Sequence, residues 1–161
     1  MRSALGKAVR KRFEAGLERI APDFKPTRPP VPGARLFERR HATGFSVYVM
    51  LDFHHMYDTF DVELGWSTQG RYPPFPEVGV ASTGEDEVRF RAPYLWGGVR
   101  PDGDYWRVAP MPSLDRPGSF LEDLPLEEAL KNVEPAVDDA LHRIEQFVLP
   151  YLARAAVAHG A

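Results

Sequence analysis

The sequence contains no cysteine among its 161 residues. A structural disulfide, a thiolate metal site and a thiol nucleophile are therefore excluded. Long apolar runs are missing as well, because nowhere do about 18 apolar residues follow one another, as a membrane-spanning helix requires. The N-terminus also lacks the continuous apolar stretch of a signal peptide. Together these absences predict a soluble protein of the cytoplasm, without a membrane partner.

Neither sign of charge dominates the chain, whose formal net charge is −3. This balance gives no global electrostatic reason to bind nucleic acid, so we expect no nucleic-acid partner. With 43% hydrophobic and 27% charged residues, the composition is that of an ordinary folded protein. The length suits one hydrophobic core, and we expect a single domain over residues 1–161.

Strand patterns are densest in the segment 35–66. From Phe45 to Phe53, apolar side chains at odd positions alternate with Ser46, Tyr48, Met50 and Asp52. From Phe60 to Trp66 the even positions are apolar instead. A period of two predicts two half-buried strands, here paired as an antiparallel hairpin. The segment 35–40 alternates more weakly and fits an edge strand with a charged rim.

Helical periodicity occurs at both ends of the chain. An apolar stripe predicts an N-terminal helix that ends before Pro22; its members are Leu5, Val9, Phe13, Leu17 and Ile20. Two C-terminal helices are expected, over 124–131 and from about Pro135 onward, with a bend or break at Pro150. Short strand patterns at 88–90, 94–96 and 105–108 enlarge the sheet. The predicted fold is α+β: an antiparallel sheet of five or six strands with the helices on one face, in two layers.

The predicted hairpin places chemistry-bearing side chains on the face opposite the core. Asp52, His54, Asp61 and Glu63 share this face, with His55 and Asp58 in the connecting turn. Carboxylates and an imidazole suit Mn, Fe or Zn, so they are candidate metal or ligand residues. They could also serve as a general acid and base. The competing interpretation is a solvated face, partly paired with Arg35, Arg39 or Arg40.

A proline-rich loop after the hairpin is the second candidate region. Arg71, Tyr72 and Phe75 lie among prolines in a segment of about twenty residues without periodicity. Such a stiff aromatic platform could contact a partner protein. Alternatively, its aromatic side chains fold back onto the body of the domain. No nucleophile elbow, phosphate-binding loop or zinc-protease motif is present in the sequence, so no catalytic residue or cofactor is assigned.

Several short motifs resemble those of the small bacterial α+β domains grouped as a domain of unknown function. They are DFK at 23–25, LFERR at 36–40, FDVELG at 60–65, YW at 105–106 and VLPYL at 148–152. Asp23 stands where that family tends to have glycine, and the DFHH run at 52–55 is not one of its motifs. The resemblance implies the fold and no mechanism, because no catalytic residues are established for the family.

Two functions remain open. The leading interpretation is a non-enzymatic bacterial protein that binds another protein, in the manner of an immunity protein; its oligomeric state is not predicted. It is based on the missing catalytic motifs, the aromatic loop and the open sheet face. The alternative is a metal-dependent or acid–base enzyme that uses the polar face of the central hairpin.

Overall fold

The structure is a computed structural model that describes residues 2–54, 58–74, 82–83, 86–97, 104–108 and 126–161. Its elements are α1 (Arg2–Ile20), β1 (Lys25–Thr27), β2 (Arg35–Arg40), β3 (Ser46–His54), β4 (Thr59–Ser67), β5 (Ser82–Thr83), β6 (Glu87–Arg91), a 3₁₀ helix (Ala92–Trp96), β7 (Trp106–Arg107), α2 (Leu126–Arg143), a π-helical turn (Ile144–Val148) and α3 (Leu149–Ala158).

The strands form one antiparallel sheet in the order β1-β2-β3-β4-β6-β5, and β7 pairs with β4 beside β6. Both β5 and β7 have only two residues. The helices at the two ends of the chain pack on one face of this sheet. The predicted α+β class is confirmed.

The β3–β4 hairpin is the centre of the sheet. Its nine residue pairs run from Ser46 opposite Ser67 to His54 opposite Thr59. The predicted register of side chains is confirmed, because both apolar rows are buried in the same core beneath the helices. These rows are Phe45, Val47, Val49, Leu51 and Phe53 on one side of the hairpin and Phe60, Val62, Leu64 and Trp66 on the other.

Helix α1 lies against both the sheet and α2. In its predicted stripe, Leu5, Val9, Phe13 and Leu17 are buried completely or nearly so. Ile20, the last member, is partly buried against the same core. Gly16 permits the close approach of α2, because a Cβ atom at this position would collide with the side chain of Leu141. The glycine therefore sets how closely the two helices pack.

Two strand predictions were wrong. Strand β2 is not the edge, because β1 pairs with it from within the proline-rich connector, with Lys25 opposite Glu38. The segment 94–96 belongs to a 3₁₀ helix that begins with Ala92-Pro93 and ends at Gly97. Proline has no N–H to donate to a strand ladder, and Gly97 adopts a left-handed φ of 64°, so this segment turns away from the sheet.

The prediction of two separate C-terminal helices divided near Pro135 was also wrong. Helix α2 continues through Pro135, which is exposed, while Val133 and Val137 on either side are buried. Packing of this stripe offsets the roughly 3 kcal/mol that an interior proline costs. The expected irregularity at Pro150 takes the form of the π-helical turn, whose wider turn accommodates a residue without an N–H.

No helix in the described part of the chain is both long enough and apolar enough to cross a membrane.

Candidate functional site

The second face of the sheet carries polar side chains from neighbouring strands. Asp52 on β3 stands directly opposite Asp61 on β4, and Met50 stands opposite Glu63. His54 follows at the end of β3. Because side chains alternate along a strand, all four predicted site residues lie on this face.

Three of the four residues form one group, which we call the Asp52 cluster: Asp52, His54 and Asp61. One potential ligand atom from each lies within 4.8 Å of the other two. The Nε2 atom of His54 is 2.9 Å from Oδ2 of Asp61, where the imidazole donates and the carboxylate accepts a hydrogen bond. That bond leaves Nδ1 as the second nitrogen available for chemistry.

Burial and charge shift the acid–base behaviour of the Asp52 cluster. Partial burial raises the pKa of Asp52, and the neighbouring Asp61 carboxylate raises it further. The hydrogen bond to Asp61 raises the pKa of His54, although desolvation opposes it. A carboxyl and an imidazole with raised pKa values are both easier to protonate than usual. A nearby cation would reverse this tendency by favouring the deprotonated ligands.

Asp61 is the least exposed member of the cluster, at 6%. Its Oδ2 atom bonds to His54, whereas its Oδ1 atom is buried and has no hydrogen-bond partner among the residues that the structure describes. A buried carboxylate oxygen without a partner is costly, and a bound water or ion is the usual way to satisfy it.

Glu63, the fourth predicted residue, belongs to a different arrangement. Arg89 on β6 holds it in a buried ion pair, with Nε of Arg89 2.9 Å from Oε1 of Glu63. Burial nevertheless raises the pKa of Glu63, with Arg89 opposing the shift. Glu63 therefore has Arg89 as its ion-pair partner and does not belong to the Asp52 cluster.

The expected arginine partners of this face lie elsewhere. Arg35 and Arg39 project toward the helix side, because they alternate with Leu36 and Glu38, and they pair with Glu14 and Asp23. Arg40 shares the polar face but lies opposite Ser46, at the far end of β3, where it pairs with Glu38. Instead, the arginines of β6 lie beside the predicted site residues on this face.

Sequence reasoning missed Arg89 and Arg91. Arg91 lies opposite Glu63 in the β4–β6 register, and its charge lowers the pKa of His54 against the stronger effect of Asp61. It pairs loosely with Asp104, at 3.7 Å. The signal that could have found both arginines is their alternation with Val88 and Phe90, the same period of two that defines the hairpin.

Two of the loop residues predicted to form a partner surface, Arg71 and Tyr72, lie in the described part of the chain. Tyr72 packs inward against Tyr48, with ring centroids 5.2 Å apart, and its ring lies 4.5 Å from the Arg89 guanidinium carbon. Arg71 is exposed and pairs with Glu87 at 2.9 Å. Phe75 lies outside the described residues, as does His55 of the connecting turn. Tyr72 thus covers the sheet and does not extend into solvent.

Comparison with known proteins identifies no relative: no protein-family model, no curated protein and no solved structure matches the chain. The resemblance to a bacterial domain of unknown function therefore stays a prediction.

Proposed function

We propose that the protein is a metal-dependent enzyme whose Asp52 cluster binds a divalent transition-metal ion. The observation that carries this proposal is the buried Oδ1 atom of Asp61, which has no partner in the described chain although its own carboxylate already bonds to His54. A metal ion would satisfy this oxygen and would also draw the two carboxylates and the imidazole together.

The donor set suits Mn²⁺, Fe²⁺ or Zn²⁺. Two carboxylates and one imidazole are a mixture of oxygen and nitrogen ligands, which these ions accept and which Ca²⁺ and Mg²⁺ use less readily. Three protein ligands also leave coordination positions open, as in catalytic sites. The His54 side chain is 41% exposed, so solvent reaches the Asp52 cluster.

A metal ion bound there would lower the pKa of a coordinated water and polarise a substrate oxygen. The residues of the chain itself would position the ion and tune its ligands. In the metal-free protein Asp61 orients the imidazole of His54 by the 2.9 Å hydrogen bond. With the ion bound, this carboxylate and imidazole would bind the ion in place of that hydrogen bond. Arg91 adds a positive charge beside the cluster, which favours an anionic substrate.

An acid–base reaction without a metal is the second candidate, favoured by the His54–Asp61 hydrogen bond and the raised pKa of the imidazole. In that mechanism protonated His54 would act as a general acid and Asp52 as a base. The proposal of a protein-binding, immunity-like function remains untested, and the inward packing of Tyr72 gives it less support than the loop sequence suggested.

Thermal unfolding with added Mn²⁺ or Zn²⁺ tests the metal proposal. Binding at a ligand concentration of 100 times Kd stabilises a folded protein by about 2.7 kcal/mol, which is a readily measured rise in Tm. We expect this rise in the wild type and its loss in Asp61→Asn, which keeps the size of the side chain. Glu145→Gln removes an exposed carboxylate elsewhere and should leave the rise unchanged.

A second control addresses binding at the surface. Asp138 and His142 stand one helical turn apart on α2 and could hold an ion weakly, so His142→Ala separates that binding from the proposed site. The metal proposal fails if the wild type shows no rise in Tm, or if Asp61→Asn retains the rise; loss of the rise in His142→Ala would then place the ion on α2. In the first case, a pH profile of catalysis would be the remaining test of the acid–base mechanism.

A further inference from the structure

A second concave region lies on the helix side of the sheet, away from the Asp52 cluster. It is a pocket of about 410 Å³ between the end of α1, strands β2 and β3, and helix α3. This volume lies within the range of small-molecule sites. Its wall is mainly apolar and includes Ile20, Phe24, Val47, Leu149, Leu152 and Ala156.

One end of the pocket carries a cation. Arg39 lines it and is the register partner of Val47, so the guanidinium stands beside the apolar floor. Its side chain is 46% exposed. The facing carboxylate, Asp23, is 72% exposed and its Oδ2 atom lies 3.9 Å from Nη2 of Arg39. That distance exceeds a hydrogen bond, and exposed pairs of this kind contribute little, so the guanidinium can turn to another anion.

His41 lines the same pocket. Burial lowers the pKa of His41, and the charge of Arg39 lowers it further, so the imidazole is neutral near pH 7. A neutral imidazole offers one donor and one acceptor without adding charge. The polar end of the pocket therefore combines the Arg39 guanidinium, which is only loosely paired with Asp23, with one neutral hydrogen-bonding ring.

From this arrangement we propose that the pocket binds a small amphipathic carboxylate, with its apolar chain among the α1 and α3 side chains and its carboxylate on Arg39. The guanidinium matches a carboxylate in charge and in bidentate geometry. The site is independent of the Asp52 cluster, because Arg39 and Val47 project from the opposite face of the sheet.

Calorimetric titration with decanoate, and with 1-decanol as its uncharged counterpart, tests the proposal on the full chain. Ala153 is exposed and lines the pocket, so Ala153→Phe should fill the space without disturbing the core. Ala158→Phe, near the end of the same helix and outside the pocket lining, is the matched control. We expect saturable binding of one decanoate in the wild type and in Ala158→Phe, and its loss in Ala153→Phe.

Arg39→Gln tests the role of charge. Hydrogen bonds to charged groups contribute enough that their loss should weaken decanoate binding by about tenfold or more, while 1-decanol binding stays the same. Arg154→Gln removes an exposed arginine of α3 and should change neither.

The proposal is overturned by any of three results. These are a wild type that binds no decanoate, an Ala153→Phe variant that binds it as the wild type does, and an Arg39→Gln variant that keeps the preference for decanoate over 1-decanol. Metal titration of Ala153→Phe and Arg39→Gln should match the wild type, so failure at this pocket is distinguishable from failure at the Asp52 cluster.

Discussion

The two faces of the β3–β4 hairpin arise from the same alternation of apolar and polar side chains, but they differ in composition and in role. On the helix side, nine apolar side chains of the two rows join the helices in one continuous core. On the other side, Asp61, Glu63 and Arg89 are almost as deeply buried but carry charge. The apolar face needs only volume and shape. Charged side chains on the other face need hydrogen-bond or ion-pair partners. Glu63 has such a partner in Arg89, whereas one carboxylate oxygen of Asp61 has none among the described residues.

We therefore expect the helix side of the hairpin to contribute to stability and the charged side to the proposed function. Side chains on the helix side contribute through burial of apolar area, and their removal should affect folding alone. The Glu63–Arg89 ion pair offsets part of the free-energy cost of burying the Glu63 carboxylate. The Asp52 cluster has charges that the fold does not fully satisfy, and the proposed function depends on this difference. Mutations on each face should therefore differ in kind.

The largest expected effect is on the apolar face. Phe13→Ala removes a completely buried ring that packs on Phe37, at 6.0 Å between ring centroids. The lost burial and the remaining cavity should lower the free energy of unfolding by about 3–5 kcal/mol in chemical denaturation. Val157→Ala, on a side chain that is 74% exposed, should change it by less than about 0.5 kcal/mol. Equal effects would mean that the core is not where the helices meet the sheet.

Loss of the buried ion pair should come next. Arg89→Leu keeps apolar volume but leaves the Glu63 carboxylate buried without its partner, so we expect a loss of about 3 kcal/mol. Arg71→Leu breaks the pair with Glu87, in which the arginine is 61% exposed, and should cost less than about 1 kcal/mol. A mild Arg89→Leu effect would indicate that Glu63 becomes protonated or reaches solvent, and that this face is wetter than the structure indicates.

The smallest effect has the most informative sign. The pKa of Asp52 is raised in the folded protein, so the stability it contributes is fully present below the ordinary value of 3.8 and is lost as pH rises through the folded pKa. Asp52→Asn should therefore stabilise the metal-free protein at pH 7. Because Asp52 is only partly buried, solvent screening limits the gain to roughly 0.5 kcal/mol.

Asp138 is the control of opposite sign. Its hydrogen bond with Arg12 lowers the pKa of this carboxyl, so its contribution is present above 3.8 and is lost as pH falls through the folded pKa. Asp138→Asn should slightly destabilise the protein at pH 7. Thermal unfolding at several pH values checks both variants, and a destabilised Asp52→Asn without metal would contradict the proposed electrostatics.

The hairpin and the three residues of the Asp52 cluster were predictable from the sequence. Their placement follows from the alternation of residues that are close together in the chain. Alternation over nine residues places Asp52 and Asp61 on one face whatever the rest of the chain does. The partner of Glu63 was not predictable, since Arg89 is 26 residues away and its position depends on the β4–β6 register. The hydrophobic pattern of β6 indicated a strand but not its neighbour.

Prolines caused the main errors in the fold. Pro135 favoured a new helix start, yet the buried stripe around it continues and outweighs the lost hydrogen bond. The prolines of the connector concealed β1, which needs only three extended residues at an edge to pair with β2. Local preference is a weak guide where packing against another element decides the conformation.

Anomalous diffraction from crystals soaked in Mn²⁺ or Zn²⁺ tests the central proposal most directly. We predict a peak at about 2.0–2.3 Å from one oxygen of Asp52, one nitrogen of His54 and an oxygen of Asp61, the usual lengths for such ligands. Crystals of Asp61→Asn should lack it. A wild-type crystal in which the ion occupies only the Asp138 and His142 side chains, or in which no ion is bound between Asp52 and Asp61, would contradict the account.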